Sequence, residues 1–442
     1  MKPIIIGSGM GGLTIGLILK KNGMNPIIYE KDKEYGGSFR SYRKGKYLVD
    51  TGLHMLTRGK TGELPVLMKK YINPKIFEKN FVAQKHYKFH INDQGAPLPM
   101  NLSSLKNFTL LNTKEKAAFL RMFIHFLRLG RDGTEKYPNM TSYNYINDKG
   151  FVASKRLLTL LNAFSWMSTG CSIKEGALEI FVDTFVRDKK LTMSYIIKHI
   201  GPRADATEGD WYPKGGLGMV PKYFVDQGLE VKTNSKVNKI YVKDNKVYAV
   251  KVGNKIIETN LVIYDGLIKN LNKLIVGGTY KGKVPKTEDY EAITIWLGFK
   301  TKVANWGRES KVYCMNNLHS PHWGVFMTDF DPKLAPKGHQ LFGISAILHK
   351  DKKTLVKEME KTIEKMIPDY KKYVDMKYVQ VNRAEKTLQK ANNSMWNLPD
   401  QKTNIEGLYI VGTDTKAFGS GGTMCADSAN RCWDYIQKDY KD

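Results

Sequence analysis

Residues 2–30 read KPIIIGSGMGGLTIGLILKKNGMNPIIYE, and the interpretation of this stretch decides the fold. From Pro3 to Leu19 it carries no charge, and Lys2, Lys20 and Lys21 flank it. A transmembrane helix, a secretory signal and a nucleotide-binding loop are the three candidates. A membrane helix needs ~20 consecutive apolar residues, and the five glycines in this run make a poor helix. A signal peptide needs a small-residue cleavage site after its apolar core, where this chain has Lys20-Lys21-Asn22. The loop reading accounts for every part. Ile4-Ile5-Ile6 is a short buried strand, and Gly7-Ser8-Gly9-Met10-Gly11-Gly12 satisfies GxGxxG. Leu13, Ile15, Leu17, Ile18 and Leu19 suit a buried helix that Gly23 ends, and Pro26 to Tyr29 is a second strand closed by Glu30. In this βαβ unit Gly7 permits the turn, Gly9 lets the backbone approach a pyrophosphate, and Gly12 lets helix and strand pack. Met10 and Gly11, at the helix N-terminus, present N–H groups to phosphate. Glu30, followed by Lys31, is expected at the ribose hydroxyls, which favours FAD or NAD over NADP.

The 442 residues leave room for two or three structural units. No other stretch approaches a membrane span, and the four cysteines (171, 314, 425, 432) form no CxxC pair. A disulfide framework and a structural zinc site are therefore not indicated, which favours a cytoplasmic setting. The net charge of +27, from 70 Lys+Arg against 43 Asp+Glu, is spread along the chain. It suits either a solvated lysine-rich surface or an anionic partner such as a membrane surface. No nucleic-acid partner is expected, since no zinc finger, ribonucleoprotein motif or basic tail is evident. The nine histidines form no HExxH and no metal-spaced cluster, and GxSxG and a Walker loop are absent. A cofactor must then carry the chemistry.

Further motifs extend the opening one. Gly36-Gly37-Ser38 lies just beyond Glu30, and Tyr47 to Asp50 leads into Thr51-Gly52-Leu53-His54. Residues 407–436, GLYIVGTDTKAFGSGGTMCADSANRCWDYI, give a strand, Gly412, Asp414, a glycine turn and a helix. Residues 211–220, WYPKGGLGMV, precede a strand meander with Asp-Asn turns. Residues 330–339 read FDPKLAPKGH. Together these resemble the flavin-dependent amine-oxidase and phytoene-desaturase superfamily over the whole chain. The FDPKLAPKGH segment and His54 resemble the branch of phytoene desaturases, carotenoid isomerases, retinol saturases and their archaeal relatives. The resemblance implies an α/β fold: a Rossmann-like FAD-binding domain (GR2-type) interleaved with an α+β substrate domain. It implies FAD-binding parts at 1–80, 211–275 and 396–442, with substrate parts at 81–210 and 276–395. It places Gly37, Ser38, Leu53, His54, Val237 and Gly412 at FAD, Asp414 at the ribityl chain, and Gly422, Thr423 and Met424 at the flavin edge. Two departures stand out. Ser38 sits where the family usually has Arg or Lys, and Ile263-Tyr264-Asp265 replaces the usual V-V-x-A/N.

In the substrate half, residues 81–100 read as a hairpin and 101–200 as mostly helical. Thr113 is placed to cap a helix whose apolar stripe is Ala117, Leu120, Phe123, Ile124 and Leu127. Such a helix suits a membrane interface or an ordinary covering layer. Strands are expected over 286–300 and 341–348, with a helix around Leu355 to Ile367 stopped by Pro368. His54 is the candidate catalytic residue, and Tyr212, Trp296 and Trp323 are candidate pocket walls. The implied function is an FAD-dependent desaturase, saturase or redox-neutral isomerase/hydratase of a polyisoprenoid, either a carotenoid or an archaeal prenyl ether lipid. An amine or porphyrinogen oxidase, and a non-catalytic flavin- or lipid-binding protein, are the alternatives. The external electron acceptor or donor stays open.

Overall fold

The structure is a computed structural model that describes residues 2–59, 61–92, 94–99, 102–186, 209–314, 319–349 and 351–440. The opening βαβ unit forms as the sequence indicates, with strand Ile4–Ile6, helix Met10–Lys21 and strand Ile27–Tyr29. Ile4–Ile6 lies at the centre of a five-stranded parallel sheet. Its neighbours run in the order Leu408–Ile410, Val262–Tyr264, Ile4–Ile6, Ile27–Tyr29, Glu230–Lys232. Three segments distant in sequence therefore supply one sheet. Both faces are covered, which is why the other four strands are continuous apolar runs, while the edge strand Glu230–Lys232 is charged and exposed. Helix Met10–Lys21 packs along helix Gly421–Asp439 on one face. The meander Val237–Lys243, Lys246–Val252, Lys255–Glu258 covers the other. Asp244 and Asn245 make its first turn at positive φ (51° and 60°), the backbone a tight hairpin requires.

The second body is a seven-stranded sheet, in the order Val374–Lys386, Glu288–Phe299, Gln340–Ile347, His322–Phe326, Glu309–Cys314, His86–Ile91, Gln94–Pro97. Helix Lys352–Met366 covers one face through Leu355, Met359 and Ile363. A helical layer drawn from residues 108–186 packs on the other half, around Phe89, Phe126, Leu157 and Phe181. The expected hairpin is residues 86–97, and it joins the sheet by parallel pairing of His86–Ile91 with Glu309–Cys314. The strand Phe81–Ala83 before it pairs instead with Trp211–Pro213. The part of the helical expectation that covers residues 187–200 lies outside the described residues.

Two details of helix Thr113–Leu129 correct the sequence reading. Its cap is Asn112, whose side chain accepts from the Glu115 N–H at 3.0 Å while the Glu115 carboxylate accepts from the Asn112 N–H at 2.8 Å. Thr113 is merely the first helical residue. Of the expected stripe Leu127 is buried, Leu120 and Phe123 are half-buried, and Ala117 and Ile124 are exposed; the buried line through Ala118, Met122 and Phe126 lies about one step round. The helix is apolar on most sides, so periodicity alone could not fix its rotation. The buried Glu115 does fix it, since its carboxylate also accepts a hydrogen bond from Ser154.

Candidate functional site

The opening motif builds one end of the site. Glu30 is buried, and its carboxylate accepts from the Ser8 N–H (2.9 Å), the Ser8 hydroxyl (2.7 Å) and the Asp32 N–H (2.9 Å). It thereby ties the glycine loop to the end of the second strand. Ser235 donates its N–H to the Glu30 carbonyl at 2.7 Å, which brings Val237 and the start of the meander beside the same strand end. Gly36 donates to the Ser8 carbonyl, and a Cβ on Gly37 would meet the Gly9 Cα at 3.3 Å. The double glycine is thus pressed against the loop. Gly37, Ser38 and Lys31 are exposed beside it. Arg40 turns away, pairing with Asp32 at 3.5 Å.

The glycine loop differs from its sequence reading in one respect. The space that Gly9 and Gly11 leave is taken on one side by the Asp265 side chain. A Cβ on Gly9 or Gly11 would meet its carboxyl oxygens at 2.7 and 2.5 Å. The Gly12 N–H donates to Asp265 Oδ2 at 2.8 Å. The close packing assigned to Gly12 is present, since a Cβ there would lie 2.2 Å from the Gly7 carbonyl oxygen. Asp265 ends the strand Val262–Tyr264 more than 250 residues downstream, so no local pattern could place it in the loop.

The C-terminal motif builds the other end. Gly412, at φ 114°, follows strand Leu408–Ile410 and faces Asp265 Oδ1. Asp414 is 3% exposed, and its Oδ2 accepts the Ile268 N–H at 2.9 Å. Among the described residues its Oδ1 makes no well-formed hydrogen bond; burial raises the carboxyl above the usual range, and the Thr387 hydroxyl beside it opposes that rise by favouring the charged form. Buried carboxylate oxygens are costly unless paired, so this one marks a place for a donor such as a sugar-alcohol hydroxyl. Gly422, Thr423 and Met424 are buried in the first turn of helix Gly421–Asp439. Phe39 and Leu64 press on Gly422, leaving no room for a larger residue.

The two helices that converge here, Met10–Lys21 and Gly421–Asp439, start without caps of their own. Neither Gly9 nor Ser420 caps its helix with its own side chain and neither first turn holds an acidic residue, although Asp265 accepts the Gly12 N–H from outside the helix. Four other helices are capped by Asn112, Thr141, Ser154 and Asp351. Uncapped N-termini leave donors and partial positive charge for a ligand. With the Asp414 oxygen they fit FAD.

Between these ends the loop after Tyr47–Asp50 crosses to the seven-stranded sheet. Gln380 clamps it: its Oε1 accepts the Gly52 N–H (2.9 Å) and Trp296 Nε1–H (3.3 Å), and its Nε2 donates to the Asp50 carbonyl (3.1 Å). Leu53 is buried against the sheet at Gly343. His54 follows. It is exposed to solvent, although many protein atoms lie around the ring. Desolvation, reinforced by the Lys386 charge, pulls its pKa down to about 4. Lys386, at the end of strand Val374–Lys386, is in the same situation, and desolvation lowers its pKa too. Its ammonium lies over the Tyr290 ring at 4.6 Å. Gln380 and Lys386 were not singled out from sequence, because one is an ordinary polar residue in a strand and the other is one lysine among many.

The aromatic candidates separate. Tyr212 is 1% exposed, and its hydroxyl donates to Asp50 Oδ2 at 2.5 Å. Asp50 also accepts from Ser41 (2.6 Å) and the Leu217 N–H (3.0 Å), and burial raises its pKa to about 6. Trp296 is fully buried and bonded to Gln380. These two are therefore core supports of the loop that carries His54, not pocket walls. Trp323 is only partly buried, against the helical layer. The two motifs quoted from the middle of the sequence meet: Asp331 Oδ2 accepts the Gly215 N–H at 2.7 Å, and the Phe330 and Tyr212 rings pack edge to face. Among the described residues no cluster of three or more His, Cys, Asp or Glu could hold a metal.

Comparison with known proteins agrees with this geometry. The family model described as "Flavin containing amine oxidoreductase" matches residues 10–432. The chain is 23% identical to prolycopene isomerase 2 of an Oncidium hybrid cultivar, over 96% of this chain and 82% of that one. It is 22% identical to a lycopene-forming phytoene desaturase of Pseudescherichia vulneris, over 62% of this chain and 58% of that one. Among solved structures, an oxidoreductase from Methanosarcina mazei superposes with a TM-score of 0.73 at 18% identity, covering 98% of this chain and 100% of that one.

Proposed function

The chain belongs to the flavin containing amine oxidoreductase family and takes FAD as its cofactor, and on that premise we propose that it acts on carbon–carbon bonds of a polyisoprenoid lipid. Carotenoids and prenyl ether lipids are the substrate class. The observation that carries this reading is the similarity to prolycopene isomerase across 96% of the chain, supported by the match to a phytoene desaturase. An apolar helical layer beside the sheet suits such a substrate, which offers almost nothing to hydrogen-bond.

FAD supplies electron or hydride transfer at its ring. The chain supplies the rest. The glycine loop and the first helix bind the diphosphate, Glu30 the adenosine end, and Asp414 the ribityl chain. The Asp50–Tyr212 and Gln380–Trp296 contacts hold residues 51–54 rigid. His54 and Lys386 are exposed and close enough for the Lys386 charge to disfavour a charged imidazole, and the surrounding protein disfavours both charged forms. An imidazole kept neutral there accepts or returns a proton at a ring nitrogen, and the Lys386 Nζ, drawn toward its neutral form, does the same. That pair serves a redox-neutral isomerisation as readily as a desaturation. A polyisoprenoid resides in a bilayer, so the enzyme works at a membrane surface, where its +27 charge favours anionic headgroups. Among the described residues no helix is long and apolar enough to cross the membrane.

The test is to purify the protein with its flavin, extract co-purifying lipid for mass spectrometry, and mix the enzyme anaerobically with polyisoprenoids or with soluble amines. Bound isoprenoid and a flavin that a polyisoprenoid reduces, or a polyisoprenoid altered without net reduction, support the reading. Rapid flavin reduction by an amine with no isoprenoid chemistry contradicts it.

A further inference from the structure

Four glycines at the head of the site surround one carboxyl group, and a fifth lies against the backbone of the same residue. A Cβ on Gly9 would meet Asp265 Oδ2 at 2.7 Å, one on Gly12 the same atom at 3.1 Å, and one on Gly11 or Gly412 Oδ1 at 2.5 and 3.1 Å. A Cβ on Gly7 would meet the Asp265 carbonyl oxygen at 2.3 Å. The Gly12 N–H, one of the few free donors in the first turn of helix Met10–Lys21, donates to Oδ2 at 2.8 Å. Asp265 keeps some accessible surface, so it borders the cleft and is not sealed beneath it. An acidic side chain therefore occupies part of the cradle meant for a diphosphate.

That arrangement conflicts with the cofactor unless the carboxyl is neutral. The groups that face it make matters worse, since Glu30 and Asp414 are carboxylates and the other ionisable neighbours are the Cys425 thiol and the Tyr264 phenol. A neutral carboxylic acid resolves the conflict. Its Oδ2 still accepts from Gly12, and its hydroxyl becomes a donor toward a phosphate oxygen. We infer that Asp265 is a cofactor-positioning residue that carries its proton whenever FAD is bound, so that seating the diphosphate takes up one proton from solution. The inference rests on the glycine loop being the diphosphate seat. Desolvation, opposed by the Gly12 and Gly9 N–H groups and increased by Glu30 and Asp414, already raises the Asp265 pKa to about 7 before a phosphate arrives. Above that pH the cofactor-free chain has lost the proton while the loaded chain holds it. FAD affinity then falls as pH rises, by about tenfold per unit.

The experiment measures FAD dissociation constants from pH 6 to 9 on deflavinated full-length protein. Calorimetry at pH 8 in two buffers of different ionisation enthalpy counts the protons. The wild type should weaken by about tenfold per unit above pH 7 and take up close to one proton. Asp265→Asn mimics the neutral acid. It should bind with a flat pH profile and no proton uptake, and at pH 9 more tightly than the wild type. A wild type that takes up no proton, or an Asp265→Asn protein that retains the wild-type slope, overturns the inference. Asp414→Ala separates the two levels. If it weakens FAD but the wild type takes up no proton, the seat stands and Asp265 is a structural tie. If FAD affinity responds neither to Asp414→Ala nor to Asp265→Asn, the seat itself is misplaced.

Discussion

At the scale of single residues, the site is made by a few buried polar atoms whose partners explain them and a few whose partners are missing. Asp414 Oδ1 is the clearest of the second kind. Asp414→Ala should weaken FAD by roughly 10- to 100-fold, the worth of about 1.5–3 kcal/mol for a hydrogen bond to a charged group, read from fluorescence titration. His54 tests the chemistry separately. His54→Gln should leave the flavin spectrum and FAD affinity unchanged and cut turnover by about 10²–10⁴, the usual contribution of a positioned acid or base. Because its folded pKa lies near 4, turnover should show no His54 titration between pH 5.5 and 8. The unfolded chain binds that proton from about pH 6.5 downward, while the folded chain does not until about pH 4. His54 therefore lowers stability as pH falls through that window. The sequence pointed to Gly9, Glu30, His54 and Asp414 because each stands at a fixed offset from a glycine motif. It marked Asp265 only as a departure from the family pattern, and it could not point to Gln380 or Lys386, whose roles exist only because strands distant in sequence end at the same place.

At the scale of elements, local pattern is a good guide where capping and periodicity agree and a poor one where they do not. The βαβ unit, the meander and the closing strand and helix were legible for the first reason. Helix Thr113–Leu129 was read one step out of register because its apolar residues run most of the way round. The two helices that converge on the site lack a side-chain cap, as do Glu63–Tyr71, Leu178–Phe185 and Met219–Val225, so it is their place beside Asp414 and the glycine loop that singles them out. Ser420→Asp would cap helix Gly421–Asp439 and place a negative charge at its N-terminus. The cofactor-free protein should gain about 0.5–1 kcal/mol in thermal or denaturant melts. The bound flavin should become harder to reduce, and its midpoint potential should move negative. An unchanged potential would mean that this helix end does not face the flavin.

At the scale of the whole molecule, the loop at residues 51–54 is tied to the seven-stranded sheet through Gln380, and the proposed chemistry is placed there. Parallel pairing of residues 86–91 with 309–314 is the kind of contact a sequence conceals, because neither strand carries a signal for the other. The resemblance between the two ends of the chain and a flavoenzyme family was visible at once, since both halves of the cofactor site are motifs. The substrate was visible only as a preference for something apolar. The most direct measurement is therefore of product. Flavin-loaded enzyme is incubated with a polyisoprenoid in anionic or zwitterionic vesicles at low and high salt, with the flavin oxidised or reduced. The lipid is then resolved by chromatography and mass. The account predicts a change in double-bond number or geometry that needs flavin, is strongest on anionic vesicles, weakens with salt and disappears with His54→Gln. A fully flavin-loaded enzyme that leaves every polyisoprenoid unchanged under all these conditions, yet oxidises a soluble amine, would contradict it.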